Sequence, residues 1–70
     1  MYKHYRGLTP GDNGSEAIIN PFGRVVYWRR SSLDAWEPVG VLKGLRLRIH
    51  PEKCMLLKEM TKDELVLELM

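Results

Sequence analysis

The sequence predicts a small, mainly β domain of the β-rich α+β class, an antiparallel meander or open barrel of about five or six short strands. Two observations predict this class. Turn-forming residues recur at short intervals, and the segments between them are β-branched, aromatic or alternately apolar. The chain of 70 residues is expected to form one domain (1–70). A domain this short has a small core, so self-association is an expected property.

Residues 1–15 are predicted to be a loop or a loosely docked N-terminal arm. Consecutive turn formers fill positions 10–14, which predicts a loop in the second half of the segment. The first half fits either a short edge strand or a frayed arm. Its two tyrosines, Tyr2 and Tyr5, favour docking against another surface.

Residues 16–20 and 24–30 are predicted to pair as a hairpin. Between them, Pro21 occupies the second and Gly23 the fourth position of a turn, which is the placement that a type I turn prefers. The run from Val25 to Trp28 consists of β-branched and aromatic side chains without interruption. This run predicts a central strand that is covered on both faces.

Residues 31–38 fit either one helical turn or a loop, and Pro38 ends both. A short strand is predicted at 39–42. Lys43 and Gly44 then form a two-residue connection into the next strand, where the glycine supplies the positive φ that such a turn requires.

Apolar and basic residues alternate over 45–50, which is the clearest periodic pattern in the chain and predicts a half-buried strand. Its inner face is predicted to contain Leu45, Leu47 and Ile49. Its outer face is predicted to contain Arg46, Arg48 and His50. A further strand is predicted at 54–58 after a turn, so the strand at 45–50 is expected to pair on both sides and to lie centrally in the sheet.

Residues 61–70 fit two structures. Thr61 and Glu64 have the spacing of a capping box, and the apolar residues that follow lie along one helical face, so a short C-terminal helix is favoured. The same segment also alternates as a strand does, through Leu65, Leu67 and Leu69.

Composition excludes several classes of protein. Cys54 is the only cysteine, so no intrachain disulfide forms, and a reducing, cytoplasmic compartment is expected. No apolar run approaches the roughly 18 residues of a membrane span, and the N-terminus lacks the apolar core of a signal peptide. No nucleophile motif or paired metal-ligand spacing is present. We therefore expect a protein that is not an enzyme, with no metal, cofactor, membrane or small-molecule substrate.

The net charge of +2 is unevenly distributed. Residues 24–50 contain six basic and two acidic residues, whereas residues 51–70 contain three basic and five acidic residues. Arginine binds phosphates through its planar fork, and aromatic rings stack on bases, so nucleic acid is a candidate partner of a small binding module. The candidate nucleic-acid-binding residues are Arg29, Arg30, Lys43, Arg46, Arg48, Trp28 and Trp36.

Two other interpretations fit the same sequence. In the first, the arginines only keep the exposed face of the sheet soluble and form ion pairs with nearby glutamates. The apolar end of the chain would be explained by an interface with another protein or with a second copy of the chain, as in an accessory subunit. The candidate interface residues are Trp36, Leu65, Leu67 and Leu69.

Residues 22–26 and 44–47 resemble parts of AbrB-type transcription regulators. The resemblance implies a dimer with exchanged hairpins that binds DNA through basic residues. That family has Ile-Pro after its paired valines, where this chain has Tyr27 and Trp28.

A second resemblance is to a small uncharacterised bacterial domain family that opens with a Tyr-x-His-Tyr-Lys-Gly motif. Residues 2–7, residues 25–27 and the pair Trp36 and Pro38 are similar to it in order. This resemblance implies no activity, and neither resemblance assigns the chain to a family.

Overall fold

Five strands form one open antiparallel sheet among the residues that the structure describes. The computed structural model describes residues 1–7, 14–47 and 52–70, and of Arg46 the backbone alone. The strands are β1 (Tyr2–Gly7), β2 (Glu16–Ile19), β3 (Val25–Arg29), β4 (Glu37–Pro38) and β5 (Cys54–Met60), and the helices are α1 (Val41–Arg46) and α2 (Lys62–Leu69). The order across the sheet is β4-β3-β2-β1-β5. The predicted small, mainly β class is confirmed.

The β2–β3 hairpin is confirmed, with its turn at the predicted place. The Gly23 N–H donates to the Asn20 carbonyl oxygen at 2.9 Å. The side-chain oxygen of Asn20 accepts from the N–H groups of Phe22 (3.0 Å) and Arg24 (2.8 Å). Gly23 has a φ of +88°, which a residue without a Cβ adopts readily. The Asn20 side chain therefore holds the turn that the Pro-Gly spacing predicts.

Strand β3 is central, as predicted, but its faces are covered unequally. It lies between β2 and β4, and β4 is only two residues long. Val25 is buried, whereas the next four residues of the strand are partly exposed. The expected cover on both faces is therefore incomplete.

Residues 2–7 form an interior strand, which corrects the expectation of a loosely docked arm or an edge strand. β1 pairs antiparallel with β2 on one side and with β5 on the other. His4 and Gly7 in this strand are buried. Residues 8–13, for which a loop is predicted, lie outside the described residues.

The predicted strands at 39–42 and 45–50 are wrong, because Val41–Arg46 is helix α1. The N–H of Gly44 donates to the carbonyl of Gly40 at 2.8 Å, as in a helix. Gly44 is buried against β3, and a Cβ there would clash with the backbone oxygen of Val25. The glycine predicted to make a turn therefore lets a helix approach the sheet backbone closely.

The face assignment of the 45–50 segment changes with its secondary structure. Leu45 and Leu47, predicted to lie in the core, are exposed. Arg48, Ile49 and His50 lie outside the described residues.

Strand β5 confirms the strand predicted at 54–58 and continues to Met60. Its partner differs from the prediction, since β5 pairs with β1. The central position predicted for residues 45–50 is therefore occupied by β1.

Helix α2 closes one face of the sheet and confirms the predicted C-terminal helix. Both halves of the capping box are present: Glu64 N–H donates to Thr61 Oγ1 at 3.2 Å, and Thr61 N–H donates to Glu64 Oε1 at 3.0 Å. The core is a cluster of Ile18, Met60 and Leu65, against which Leu69 packs. We call the side of the sheet that contains this cluster the α2 face.

Residues 31–34 form a turn, so of the two structures that fitted this segment the loop is observed. The Asp34 N–H donates to the Ser31 carbonyl at 3.2 Å, and the Ser31 hydroxyl bonds to the Asp34 carboxylate at 3.1 Å. The chain then enters the short strand β4.

Candidate functional site

Helix α1 carries an apolar surface that points away from the domain. Its large side chains Val41, Leu42 and Leu45 are exposed, Leu42 to 74%. Phe22, from the β2–β3 turn, is 94% exposed and lines one groove together with Val41 and Leu45. We call Phe22, Val41, Leu42 and Leu45 the α1 surface.

The exposure of these side chains follows from how α1 docks. A helix turns by about 100° per residue, so Leu42 projects almost opposite to Gly44. Gly44 is the buried residue of the helix and faces β3. Because the contact with the sheet is made by a glycine, the leucines of α1 are directed outward.

Two grooves border α1, one on each side. The first is lined by apolar residues of the α1 surface together with Arg24 and Gly44. The second is lined by Trp28, Pro38, Val39, Lys43 and Leu47, with Glu37 and Gly40. The first groove therefore combines apolar side chains with one basic residue, and the second contains both Lys43 and the acidic Glu37. Apolar side chains with polar groups at their edge are typical of protein interfaces.

Arg24 has an unused hydrogen-bond donor at the first groove. Its Nε is buried and has no hydrogen-bond partner within the described part of the chain. A buried donor without an acceptor is unfavourable by about 1–3 kcal/mol, because it has lost its water.

A polar cluster lies on the α2 face, centred on the carboxylate of Glu16. Glu16 is only 2% exposed. Its Oε1 lies 2.5 Å from His4 Nε2 and 2.8 Å from the terminal Nη2 of Arg29, and its Oε2 lies 3.3 Å from Arg6 Nη2. These three partners come from β1 and β3, so one carboxylate ties together three adjacent strands.

The protonation of this cluster follows from its contacts. Burial raises the pKa of the Glu16 carboxyl, but the hydrogen bonds from Arg29 and His4 outweigh burial and leave the pKa below its ordinary value of 4.5. Glu16 is therefore a carboxylate at neutral pH. His4 Nδ1 is buried without a partner in the described part of the chain.

Trp36 packs over the polar cluster. The guanidinium carbon of Arg29 lies 4.1 Å from the centre of the Trp36 ring, which is a cation–π contact. The His4 ring meets Trp36 edge to face, with ring centres 5.0 Å apart. His4 and Glu16 are both buried, and the cluster that they form with Arg6 and Arg29 connects three adjacent strands.

The structure brings some of the predicted nucleic-acid-binding residues together and uses others within the fold. Trp28, Arg29 and Arg30 line one cavity together with Asp34 and Glu37, and Trp28 and Lys43 line another. Arg29 is paired with Glu16 and stacked on Trp36, so both are used within the chain. Trp28 lies opposite Ala17, on the other face of the sheet. Arg30 and Lys43 are exposed. The Arg46 side chain and the whole of Arg48 lie outside the described residues.

Three of the four predicted protein-interface residues contribute to the core, and one is exposed. Leu65 is 6% exposed and belongs to the core. Leu69 and Trp36 pack against that core. Leu67, at 71% exposure, points outward as an interface residue requires. The size and apolar character of these residues fit an interface and a core equally well. In the structure Leu65, Leu69 and Trp36 contribute to the core of the domain.

The α1 surface was missed because its residues were assigned to two strands. The helical signal was present, since Val41, Leu42 and Leu45 have the spacing of one helical face. The His4–Glu16 pair had no such signal. Its members are twelve residues apart and meet only through the β1–β2 register.

Comparisons with protein-family models, with curated proteins and with solved structures found no match for this chain. No helix in the described part of the chain is long and apolar enough to cross a membrane. The described residues also contain no group of three or more His, Cys, Asp or Glu side chains placed to hold a metal ion.

Proposed function

We propose that the protein is a non-enzymatic binding module that engages another protein chain through the α1 surface. One observation carries this proposal: four large apolar side chains, contributed by one helix and one turn, are exposed together. Contiguous exposed apolar patches on small domains mark interaction sites, because leaving apolar area in water is unfavourable by roughly 25 cal/mol per Å².

The neighbouring charges support a protein as the partner. Lys43 and Arg24 stand beside apolar grooves, and Arg24 has a buried donor with no acceptor in the described part of the chain. Protein interfaces combine an apolar centre with a polar rim in this way. Nucleic acid, the other partner class, needs several cations free to meet phosphates, and Arg29 is already paired with Glu16.

The compartment is part of the proposal. We infer that the protein works in the cytoplasm. Cys54 is a free cysteine that is partly exposed, which suits a reducing environment.

Site-specific crosslinking tests the proposal. A photo-crosslinking amino acid replaces Leu42 in one variant and Leu33 in a control, since Leu33 is even more exposed but lies in the 31–34 turn. We expect one protein to be captured from position 42 and not from position 33. Equal capture from both positions would contradict a specific α1 surface.

The captured protein is then purified and its affinity measured. Leu42→Gln should raise the dissociation constant by roughly ten-fold or more, and Leu33→Gln should leave it unchanged. Raising salt from about 50 to 200 mM should change the affinity only several-fold, whereas four phosphate contacts would weaken nucleic-acid binding on the order of 100-fold. A steep salt dependence, with oligonucleotide binding at low salt, would favour nucleic acid instead.

A further inference from the structure

Helix α2 has a second, outward stripe that the core does not use. Leu65 faces the sheet and is buried. Leu67 lies almost opposite to it around the helix, and Val66 and Asp63 lie beside Leu67. All three are exposed, Leu67 to 71%. We call Asp63, Val66 and Leu67 the α2 stripe.

The charges of the two helices are opposite. α1 contains Lys43 and Arg46 and no acidic residue. α2 contains three acidic residues and one lysine, with Asp63 and Glu64 in its first turn. The α1 surface thus has the exposed Lys43 beside it, whereas Leu67 of the α2 stripe lies next to the exposed Asp63 and Glu64. Glu68 is already paired with Lys58, and Lys62 lies one turn before Val66. Such surfaces attract each other and each disfavours its own kind.

The two surfaces of one molecule do not face each other. α1 packs against β3, and α2 packs against β5. Two strands, β2 and β1, lie between β3 and β5 in the sheet. Because α2 turns Leu65 and Leu69 towards the core, its stripe points away from the molecule that carries it.

We propose that the α1 surface of one copy binds the α2 stripe of a second copy, head to tail. The inference rests on the proposed function of the α1 surface and names its occupant. The contact joins two different surfaces, so a pair of copies still has one unused α1 surface at one end and one unused α2 stripe at the other. Association is therefore not limited to two copies unless a ring closes.

The contact is expected to be weak and concentration-dependent. The helices have six and eight residues, so the area they bury falls in the range of transient interfaces, below about 1,200 Å² in total. We expect dissociation constants between about 10 µM and 1 mM.

Analytical ultracentrifugation of the full chain tests the inference with two variants, Leu42→Gln on α1 and Leu67→Gln on α2. The wild type should rise in average mass with concentration and pass the mass of a dimer. Each variant alone should stay close to monomeric, with at least about ten-fold weaker association. An equimolar mixture should regain association but stop at a dimer, because Leu67→Gln supplies an intact α1 surface and Leu42→Gln an intact stripe.

Other outcomes overturn the inference in distinguishable ways. A dimer that survives Leu67→Gln but not Leu42→Gln would mean that two α1 surfaces meet each other. A wild type that is monomeric up to about 1 mM would exclude a second copy as the occupant. A monomeric wild type would not contradict the proposed function, because the crosslinking from position 42 tests separately whether the α1 surface binds a different protein.

Folding of the variants is checked by thermal unfolding monitored by circular dichroism. Both leucines are exposed, so both variants should melt within a few degrees of the wild type. Leu45→Gln repeats the test on the α1 surface and Val66→Gln repeats it on the α2 stripe. Each replaces the first variant of its surface if that variant does not fold. Leu33→Gln serves as the matched exposed control and should associate like the wild type.

Discussion

The two helices of this domain use similar apolar sequences in opposite ways. α2 directs Leu65 and Leu69 towards Ile18 and Met60, and its first turn is closed by a capping box. α1 meets the sheet through Gly44, has no side-chain cap, and leaves Leu42 and Leu45 exposed. One helix completes the core, and the other presents its apolar side chains to the outside.

The difference shows that hydrophobicity alone does not decide which residues form the core. The decisive feature is the residue at the contact with the sheet. A leucine at that position buries apolar area, whereas a glycine brings two backbones together and turns its neighbours outward. The face closed by α2 also contains the buried ionic cluster of Glu16, whereas the large side chains of α1 are exposed.

The largest expected effect is on the closed face, at Glu16. Glu16→Gln should lower the free energy of unfolding by about 3–5 kcal/mol, because it leaves Arg29 and His4 partly buried without their anionic partner. Urea denaturation at pH 7 measures the loss. As a control, Glu37→Gln changes an exposed acid and should be nearly neutral. Equal losses in the two variants would contradict the assignment of the ionic cluster.

The contribution of Glu16 should depend on pH in a defined direction. Its folded-state pKa lies below 4.5, so the stabilisation is complete above about pH 4.5 and is lost as the pH falls through the lower folded value. The difference in unfolding free energy between wild type and Glu16→Gln should therefore shrink below pH 4.5. A difference that stays constant from pH 6 to about pH 3 would show that the charge of Glu16 is not what stabilises the fold.

The next effect compares two leucines of α2. Leu65→Ala should destabilise the domain by about 2–5 kcal/mol, because it empties a buried position next to Ile18. Leu67→Ala should change the stability of the monomer by less than about 0.5 kcal/mol. Thermal and urea unfolding of dilute samples provide both values. Similar losses would mean that the α2 stripe is not an outer surface.

A smaller effect is expected at the contact of α1 with the sheet. Gly44→Ala should lower stability by about 1–3 kcal/mol although alanine favours helix, because its Cβ would meet the backbone oxygen of Val25 and come within 3.0 Å of Arg24 Cγ. Gly40→Ala has open space at its Cβ and is the control. Hydrogen exchange of α1 and the near-ultraviolet signal of Trp28 report whether the helix has moved.

The features predictable from the sequence were those encoded within a few residues. The Asn20-to-Gly23 turn and the Thr61–Glu64 capping box each depend on residue types at fixed short spacing, and both are present. Helix α1 depends on Gly44 meeting Val25, a contact between distant parts of the chain. The alternation over 45–50 spans six residues, which is too short to separate a strand from the end of a helix, and Leu45 and Arg46 belong to α1.

The candidate site was less predictable than the fold. Basic residues were assigned to one surface from their number, but Arg29 is neutralised by a glutamate thirteen positions earlier in the chain. That pairing is set by the β2–β3 register, in which Glu16 lies opposite Arg29. The exposed state of Leu42 could not be read from the sequence either, because it follows from the docking of Gly44.

The most direct test of the account measures one variant, Leu42→Gln, in two ways. At a dilution where the chain is monomeric, its free energy of unfolding should stay within about 0.5 kcal/mol of the wild type, since Leu42 contributes to no core. At high concentration, its self-association should be weakened roughly ten-fold or more. A loss of stability as large as that of Leu65→Ala, with association unchanged, would place Leu42 in the core and contradict the assignment of α1 as the binding surface.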